Sequence, residues 1–285
     1  MLGFYNVIKP TGVSSAYVVN KIKWLTKEKV GHLGTLDPLA SGVLPIAVGK
    51  ATKFFDYFLN KDKVYFALMK IGYLTDTLDS EGKVVLNKPK KVSEGDVKKA
   101  CLDFVGESFQ VPPLYSARSV DGVRGYQAAS KNKEIVLEPK KVNIYSIDAN
   151  SWHQEDVFKL EIHCSSGTYV RSIIRDLGEK LGTVATTVAI IRKKSGAFEI
   201  KNAVTLSDIE NNQNDNLIKV NEILNKPVIN LTKKQAKDIV DGKKIVIGNY
   251  SGEFLLCYDS KEFCFANLIN GEIDKSIYLF EGVLW

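Results

Sequence analysis

The sequence holds few of the side chains that bind metal ions or form disulfide frameworks. Among its 285 residues are only four cysteines and three histidines. No two cysteines have the spacing of metal ligands, and the histidines supply no second cluster. We therefore expect reduced cysteines that serve as packing residues, and no metal site.

Long apolar segments and targeting signals are also missing. No apolar run approaches the roughly 20 residues that a helix needs to cross a bilayer. The N-terminal residues MLGFYNVIKPTG are too short and too mixed in polarity for a signal peptide. A Gly-x-Ser-x-Gly motif and paired-carboxylate motifs are absent, which disfavours a hydrolase. The sequence predicts a soluble, cytoplasmic protein without a membrane partner.

The composition is that of a slightly basic globular protein. Hydrophobic residues make up 45% of the chain, which is ample for a core, and the formal net charge is +6. Excess Lys and Arg favours a polyanionic partner because these side chains neutralise phosphates. A basic enzyme without such a partner has the same composition, so net charge leaves both interpretations open.

Apolar periodicity and capping residues predict mixed helices and strands over the first 200 residues. Strands are expected at 4–8, 64–71 and 158–164, and helices after Ser14 or Ser15, after Ser93 and from about Thr168. Residues 30–50 are rich in Gly and Pro, and we predict a loop there.

The character of the chain changes from about Pro227. One capped helix is followed by short predicted strands at Phe254–Tyr258, Phe263–Ile269 and Ile277–Leu284. We therefore expect a first domain over residues 1–225 and a small β-rich domain over residues 226–285.

The clearest candidate for a catalytic segment is GHLGTLDPLASGVLP, residues 31–45. Its glycines allow close backbone approach, and Pro38 restricts Asp37 to extended geometry. One carboxylate therefore projects from a stiff loop between apolar neighbours, where it could serve as a nucleophile or a base. Asp-Pro is also common in ordinary turns, so these residues alone leave a structural role open.

Extended to residue 53 as GHLGTLDPLASGVLPIAVGKATK, this segment resembles the catalytic signature of the TruB family of tRNA pseudouridine synthases. Further matches follow in the family's order: KPTGVSS at 9–15, DKVYFALMKIGYLTDTLDSEG at 62–82, PPLYSARSVDG at 112–122 and CSSGTYVRSIIRDLGEKLG at 164–182. The C-terminal region is similar to the PUA RNA-binding domain that follows the catalytic domain in this family.

The resemblance implies an α+β pseudouridine synthase fold, with a mixed, largely antiparallel sheet, flanking helices and a small β-barrel-like PUA domain. It implies that the chain isomerises a uridine of tRNA, at position 55 of the T loop, after swinging the base out of the RNA. It also implies that the reaction uses an aspartate nucleophile, without cofactor, metal, guide RNA or obligatory protein partner.

Three residues match the family's catalytic positions. Asp37 matches the nucleophile, Arg171 the arginine that keeps it ionised and oriented, and Tyr65 the aromatic residue that stacks on the flipped uridine. Without the resemblance, Arg171 is interpreted as a surface residue and Tyr65 as core packing.

Five further residues match substrate-binding positions, and each has a structural alternative. Tyr169 lines the pocket or packs at a helix start, and His32 helps to open the T loop or packs locally. Asp79 lies near the target nucleotide or caps a turn. Lys9 contacts phosphate or orders the first turn, and Ile191 lies beside the base pocket or in the core.

The irregular segment 112–141 matches the thumb loop that orders on tRNA in this family. Among its residues, Arg118 and Tyr126 are the predicted substrate contacts, since cations bind phosphate and aromatic rings stack on bases. The guide-RNA-dependent branch of the superfamily lacks this insertion, so its presence favours a stand-alone enzyme. A tRNA-folding protein that clamps the T loop, with isomerisation secondary, is the alternative function.

Overall fold

The computed structural model describes residues 1–115 and 137–279, together with the backbone of residues 119–120 and 123–124. The strands are β1 (Gly3–Lys9), β2 (Val30–His32), β3 (Ser41–Val48), β4 (Lys63–Ile71), β5 (Tyr73–Thr75), β6 (Val84–Asn87), β7 (Gly106–Gln110), β8 (Ser119–Val120), β9 (Val123–Arg124), β10 (Lys140–Ser151), β11 (Val157–Cys164), β12 (Ala185–Ser195), β13 (Phe198–Glu199), β14 (Val228–Asn230), β15 (Gly252–Tyr258), β16 (Lys261–Ile269) and β17 (Glu272–Tyr278). The α-helices are α1 (Ser15–Thr26), α2 (Phe55–Leu59), α3 (Glu94–Leu102), α4 (Val170–Lys180), α5 (Leu206–Asn211), α6 (Val220–Leu224) and α7 (Lys233–Val240).

A nine-stranded sheet organises the described part of the first 225 residues. Its main order is β1-β3-β12-β4-β11-β10-β7, with β2 paired to β3 and β13 paired to β12. Neighbours are antiparallel except β3 and β12, which run parallel where Ile191 pairs with Ser41 and Arg192 with Gly42. The parallel pairing places β12, from late in the chain, beside β3, the strand that follows Asp37.

Helices α1, α3 and α4 bury their apolar sides in the same core cluster as residues of this sheet. Ile173, Ile174 and Leu177 of α4 are fully buried, and each contributes about 1.5–3 kcal/mol through the removal of apolar surface from water. No helix in the described residues is both long and apolar enough to cross a membrane.

Helix starts follow the predicted caps. The Ser14 side chain accepts the Tyr17 N–H at the start of α1. Ser93 and Asp96 form a reciprocal capping box at the start of α3, which satisfies two N–H groups that have no partner within the helix.

The prediction of a loop over residues 30–50 was wrong. Strands β2 and β3 occupy much of this range, and Pro45 lies within β3 opposite Asn6. Gly42 has φ +98°, and a Cβ added there would lie 2.4 Å from the Arg192 carbonyl oxygen. The glycine that suggested a loop therefore allows the close approach of β12 to β3.

The C-terminal strands form a separate four-stranded sheet in the order β14-β15-β16-β17. Asn270 and Gly271, with φ values of 51° and 83°, make a tight turn between β16 and β17. The last strand was predicted at Ile277–Leu284. The structure has β17 at Glu272–Tyr278, which starts five residues earlier. The region beyond residue 279 lies outside the described residues.

An apolar cluster joins the two sheets. It contains Phe4 and Phe54 from the first region, and Leu255 and Phe265 from the second. The rings of Phe54 and Phe265 lie 5.5 Å apart between centroids. The second sheet is therefore packed against the chain that follows β3.

We predict that Gly178→Ala lowers the free energy of unfolding by about 1–3 kcal/mol. The added Cβ would lie 2.5 Å from the backbone nitrogen of Ala185, so α4 would have to move away from β12. Denaturant unfolding measures the change.

Gly95→Ala is the matched control, because Gly95 is an exposed residue of α3. A Cβ there meets only the Ser93 hydroxyl oxygen, at 3.7 Å, so alanine should raise stability by about 0.4–1 kcal/mol. If Gly178→Ala and Gly95→Ala both lowered, or both raised, the free energy of unfolding, the packing explanation would be contradicted.

Candidate active site

The segment between β2 and β3, residues 33–40, is called the Asp37 loop below. Residues near the N-terminus of the chain form hydrogen bonds to the backbone of this loop. The Ser15 hydroxyl donates to the Leu36 carbonyl at 2.8 Å and accepts the Leu36 N–H at 2.9 Å. The Gly12 N–H donates to the Pro38 carbonyl at 2.9 Å.

Lys9 adds a buried cation beneath the same loop. Its ammonium group donates to the carbonyls of Val13 at 2.7 Å, Pro10 at 2.8 Å and Pro38 at 3.2 Å. Burial lowers the pKa of Lys9 to about 8, and the Asp37 carboxylate opposes this shift. These contacts order the first turn against the loop, which is the structural alternative considered for Lys9.

Arg192 of β12 holds the loop from the opposite side. Its side chain is almost completely buried. It donates to the carbonyls of Val43 at 2.8 Å, Gly34 at 3.1 Å and Thr35 at 3.3 Å. An arginine suits this position because its guanidinium presents several donors in a fixed plane. The loop is thus fixed by hydrogen bonds on both sides.

Asp37 forms an ion pair with Arg171, which lies in the first turn of α4. The distance from Arg171 Nη2 to Asp37 Oδ2 is 2.7 Å. Arg171 is buried, and its Nη1 lies 3.3 Å from Asp79 Oδ2. The same guanidinium donates to the carbonyls of Thr77 and Tyr115, each at 2.9 Å. Two carboxylates and two carbonyls therefore offset the cost of burying this cation.

Asp37 is less enclosed than the sequence suggested. One third of its side-chain surface is exposed (33%), compared with 7% for Asp79 and 4% for Arg171. The exposed part lies at a cavity of about 400 Å³. The arrangement suits a reacting group, since one oxygen is held by Arg171 while the carboxylate still borders open space.

The cavity brings together the three residues that match catalytic positions, Asp37, Tyr65 and Arg171, with Tyr169, which matches a substrate-binding position. Its lining residues are Gly34, Thr35, Leu36, Asp37, Ala40, Leu59, Lys63, Tyr65, Gly167, Thr168, Tyr169, Val170, Arg171, Ile190 and Arg192. Apolar, aromatic and cationic groups therefore line the same cavity as one carboxylate, the mixture of side chains that is typical of a small-molecule site.

Tyr65 lies directly opposite Arg192 in the pairing of β4 with β12. Burial raises the pKa of Tyr65, and the charge and hydrogen bonding of Arg192 oppose that shift. The phenol is therefore held in its neutral form, with an aromatic face available for stacking.

Lys63 is a second buried cation in the cavity wall. Its ammonium donates to the carbonyls of Lys61 at 2.5 Å and Leu59 at 2.6 Å. Burial lowers the pKa of Lys63 to about 8, and Arg192 acts in the same direction. The group still carries its charge at neutral pH, which adds positive potential to the site.

Hydrogen bonds and an ion pair also fix Asp79 and Tyr169 close to Arg171. Besides its contact with Arg171, Asp79 accepts the Thr77 hydroxyl at 2.6 Å and the Glu81 N–H at 3.2 Å. Asp79 thus both shapes a turn and neutralises Arg171. The Tyr169 N–H donates to the Gln110 side chain at 2.8 Å, which fixes the start of α4.

Among the described predicted residues, His32 does not line the cavity. His32, at the end of β2, has a buried Nδ1 without a hydrogen-bond partner in the described structure. Burial and Arg192 lower the pKa of His32, which favours its neutral form. Arg118 and Tyr126 lie among the residues whose placement is not described.

Ile191, which matches the family position beside the base pocket, is not among the residues that line the cavity. Ile190 lines the cavity instead, together with Arg192. Alternate residues of a strand face opposite sides, so the residue between them belongs to the other face of β12.

Sequence reasoning also missed Lys63 and Arg192 as parts of the site. The available signal was a cation inside an apolar strand, since a buried charge needs carbonyl or carboxylate partners. Among the described residues, no group of three or more His, Cys, Asp or Glu side chains is placed to hold a metal ion.

The sequence and the fold resemble those of known pseudouridine synthases. The chain is 42% identical over 248 residues to the tRNA pseudouridine synthase B of Clostridium acetobutylicum, with 86% of each chain covered. It is 44% identical over 228 residues to the protein of the same name from Clostridium novyi, with 79% of this chain and 78% of that one covered.

A chain in the crystal structure of a Cbf5-Nop10-Gar1 complex has the same fold, with a TM-score of 0.70 and 23% sequence identity. The match covers 96% of this chain and 84% of that one. It confirms the predicted α+β pseudouridine synthase fold with a small C-terminal β domain. Residues 22–170 match the family described as TruB family pseudouridylate synthase, N-terminal domain, and the chain belongs to this family.

Proposed function

We propose that this chain converts uridine 55 in the T loop of tRNA to pseudouridine, with Asp37 as the nucleophile. As a TruB family member the chain is a pseudouridine synthase, and its relatives named tRNA pseudouridine synthase B support tRNA as the substrate. The observation that carries the role of Asp37 is its 2.7 Å ion pair with Arg171 at the edge of the cavity.

The reaction exchanges one bond to the ribose for another. The N1–C1′ bond breaks, the uracil rotates and a C5–C1′ bond forms. C5 then loses a proton and N1 gains one, so atoms and charge balance without a redox partner. The carboxylate of Asp37 provides the electron pair that starts this exchange and recovers it once the C5–C1′ bond has formed, and Arg171 holds the carboxylate in position.

The target base must first leave its stack, at a cost of a few kcal/mol. Tyr65 and Tyr169 offer aromatic surfaces to the extruded uracil, and base stacking on such a ring contributes about 1–3 kcal/mol. The neighbouring cations Lys63 and Arg192 raise the local positive potential, which favours a polyanion at the cavity.

The chain acts without a guide RNA or an obligatory protein partner in this proposal. The support is the long insertion at residues 112–141 and the extent of the match to relatives named as tRNA enzymes. Residues 1–225 form the catalytic domain and residues 226–285 a PUA-like RNA-binding domain. Since its substrate is tRNA, we place the enzyme in the cytoplasm.

Asp37→Asn should reduce tritium release from a 5-tritiated uridine in tRNA by at least about 1000-fold, because the amide is a poor nucleophile. Binding of the tRNA should change less than threefold, since the amide keeps the size of the carboxylate. Asp103→Asn, which alters an exposed contact with Lys180, is the control. Normal release by Asp37→Asn would refute the assignment.

Arg192→Lys should lower kcat at least tenfold while KM changes less than threefold. Lysine cannot reach the carbonyls of Val43, Gly34 and Thr35 together, so the Asp37 loop loses part of its support. Steady-state tritium release measures both constants, and a thermal melt checks that the variant is folded.

Arg175→Lys is the matched control for this variant. Arg175 lies on α4 and bonds to Asp176 and the Val111 carbonyl, with part of its surface exposed. It should keep kcat within twofold. An Arg192→Lys enzyme that is folded and equally fast would contradict the role given to the guanidinium.

A further inference from the structure

The outer face of α1 carries two large aromatic side chains that are mostly exposed to solvent. Trp24 is 61% exposed and Tyr17 is 52% exposed, while Val18 and Ile22 on the opposite side are fully buried. Positions seven apart lie two turns apart on the same face of a helix. The helix therefore presents an aromatic stripe to solvent, and such exposed apolar surface commonly marks a binding site.

Lysines surround this stripe. The ammonium groups of Lys27 and Lys21 lie 5.0 Å and 5.2 Å from the centroid of the Trp24 ring. Such distances are those of cation–π contacts. Lys23, the residue before Trp24, adds another exposed cation. The indole of Trp24 is therefore surrounded by positively charged side chains.

Acidic groups are sparse around these lysines. The sequence has no Asp or Glu before Glu28. Within the described residues, neither Lys23 nor Lys27 has a carboxylate oxygen within 4 Å, although Lys21 pairs with Glu210 at 2.9 Å. The net positive charge of the face favours an anionic partner.

The helix that carries this aromatic stripe begins next to the candidate active site. Ser15, the first residue of α1, makes both hydrogen bonds to Leu36, the neighbour of Asp37. Trp24 lies nine residues further on, which is about 14 Å along the helix axis. An RNA arm seated at the cavity would extend over distances larger than this.

We propose that the outer face of α1 is a second RNA contact, on which an unpaired nucleotide of the substrate stacks against Trp24 while the lysines bind phosphates. The inference rests on the proposed function for the identity of the RNA. A nucleotide fits better than a protein partner because lysine is depleted in protein–protein interfaces. Aromatic rings flanked by cations are the usual platform for unpaired bases.

The test is the affinity of a tRNA transcript for the full-length protein in the Asp37→Asn background, where the RNA is not converted. Trp24→Ala should weaken binding about tenfold through loss of one stacked base, and Trp24→Phe should retain most of the affinity. Trp152→Ala is the matched control and should bind normally, because the Trp152 ring packs beside Phe66 and His153.

The salt dependence gives a second readout. The double variant Lys23→Gln with Lys27→Gln should make the slope of log affinity against log salt shallower by about 1.4–1.8, since each lost phosphate contact changes the slope by about 0.7–0.9. Titration should also quench indole fluorescence, and this signal should be absent in Trp24→Phe and present in Trp152→Phe.

Equal affinity of the Trp24→Ala and Trp152→Ala proteins would overturn the inference. It would also fail if Trp24→Ala changed only self-association in sedimentation velocity, since the face would then bind protein. Wild-type tritium release is measured in parallel. Absent release would count against the proposed function, whereas the binding comparison tests the α1 contact independently.

Discussion

The buried guanidinium of Arg171 is the constraint on which the site depends. A cation with 4% of its side-chain surface exposed requires anionic and carbonyl partners, and these partners come from three segments of the chain. Asp37 comes from the loop between β2 and β3, Asp79 from a turn after β5, and the Tyr115 carbonyl from the segment after β7. Neutralising one charge thus assembles groups from distant parts of the sequence around one cavity.

Rigidity of the Asp37 loop follows from a second set of buried donors. Lys9 and Arg192 bind loop carbonyls from opposite sides, and Ser15 binds both backbone groups of Leu36. A loop whose backbone is satisfied in this way has few alternative conformations. The carboxylate is consequently positioned before any substrate arrives, and orientation lowers the barrier to reaction.

Local signals in the sequence predicted much of the fold, because caps and short apolar runs act over a few residues. The helix starts at Ser14 and Ser93 are examples. The parallel pairing of β3 with β12 could not be predicted from local pattern, since it joins segments about 150 residues apart. The pairing of Asp37 with Arg171 came from the family resemblance, whereas the bracing by Arg192 was missed because strand β12 was not identified.

The contact between the two sheets matters for the proposed function, in which the first domain carries the catalytic site and the second binds RNA. Phe265 of the second sheet contacts both Phe54 and Tyr57, at centroid distances of 5.5 Å and 5.4 Å. These residues follow β3, the strand that leaves the Asp37 loop. Burial of several aromatic rings resists hinge motion, because opening would expose about 150–250 Å² of surface for each ring. RNA held on the C-terminal domain would therefore lie at a fixed position relative to the carboxylate, so the geometry of the protein itself would select which uridine reaches Asp37.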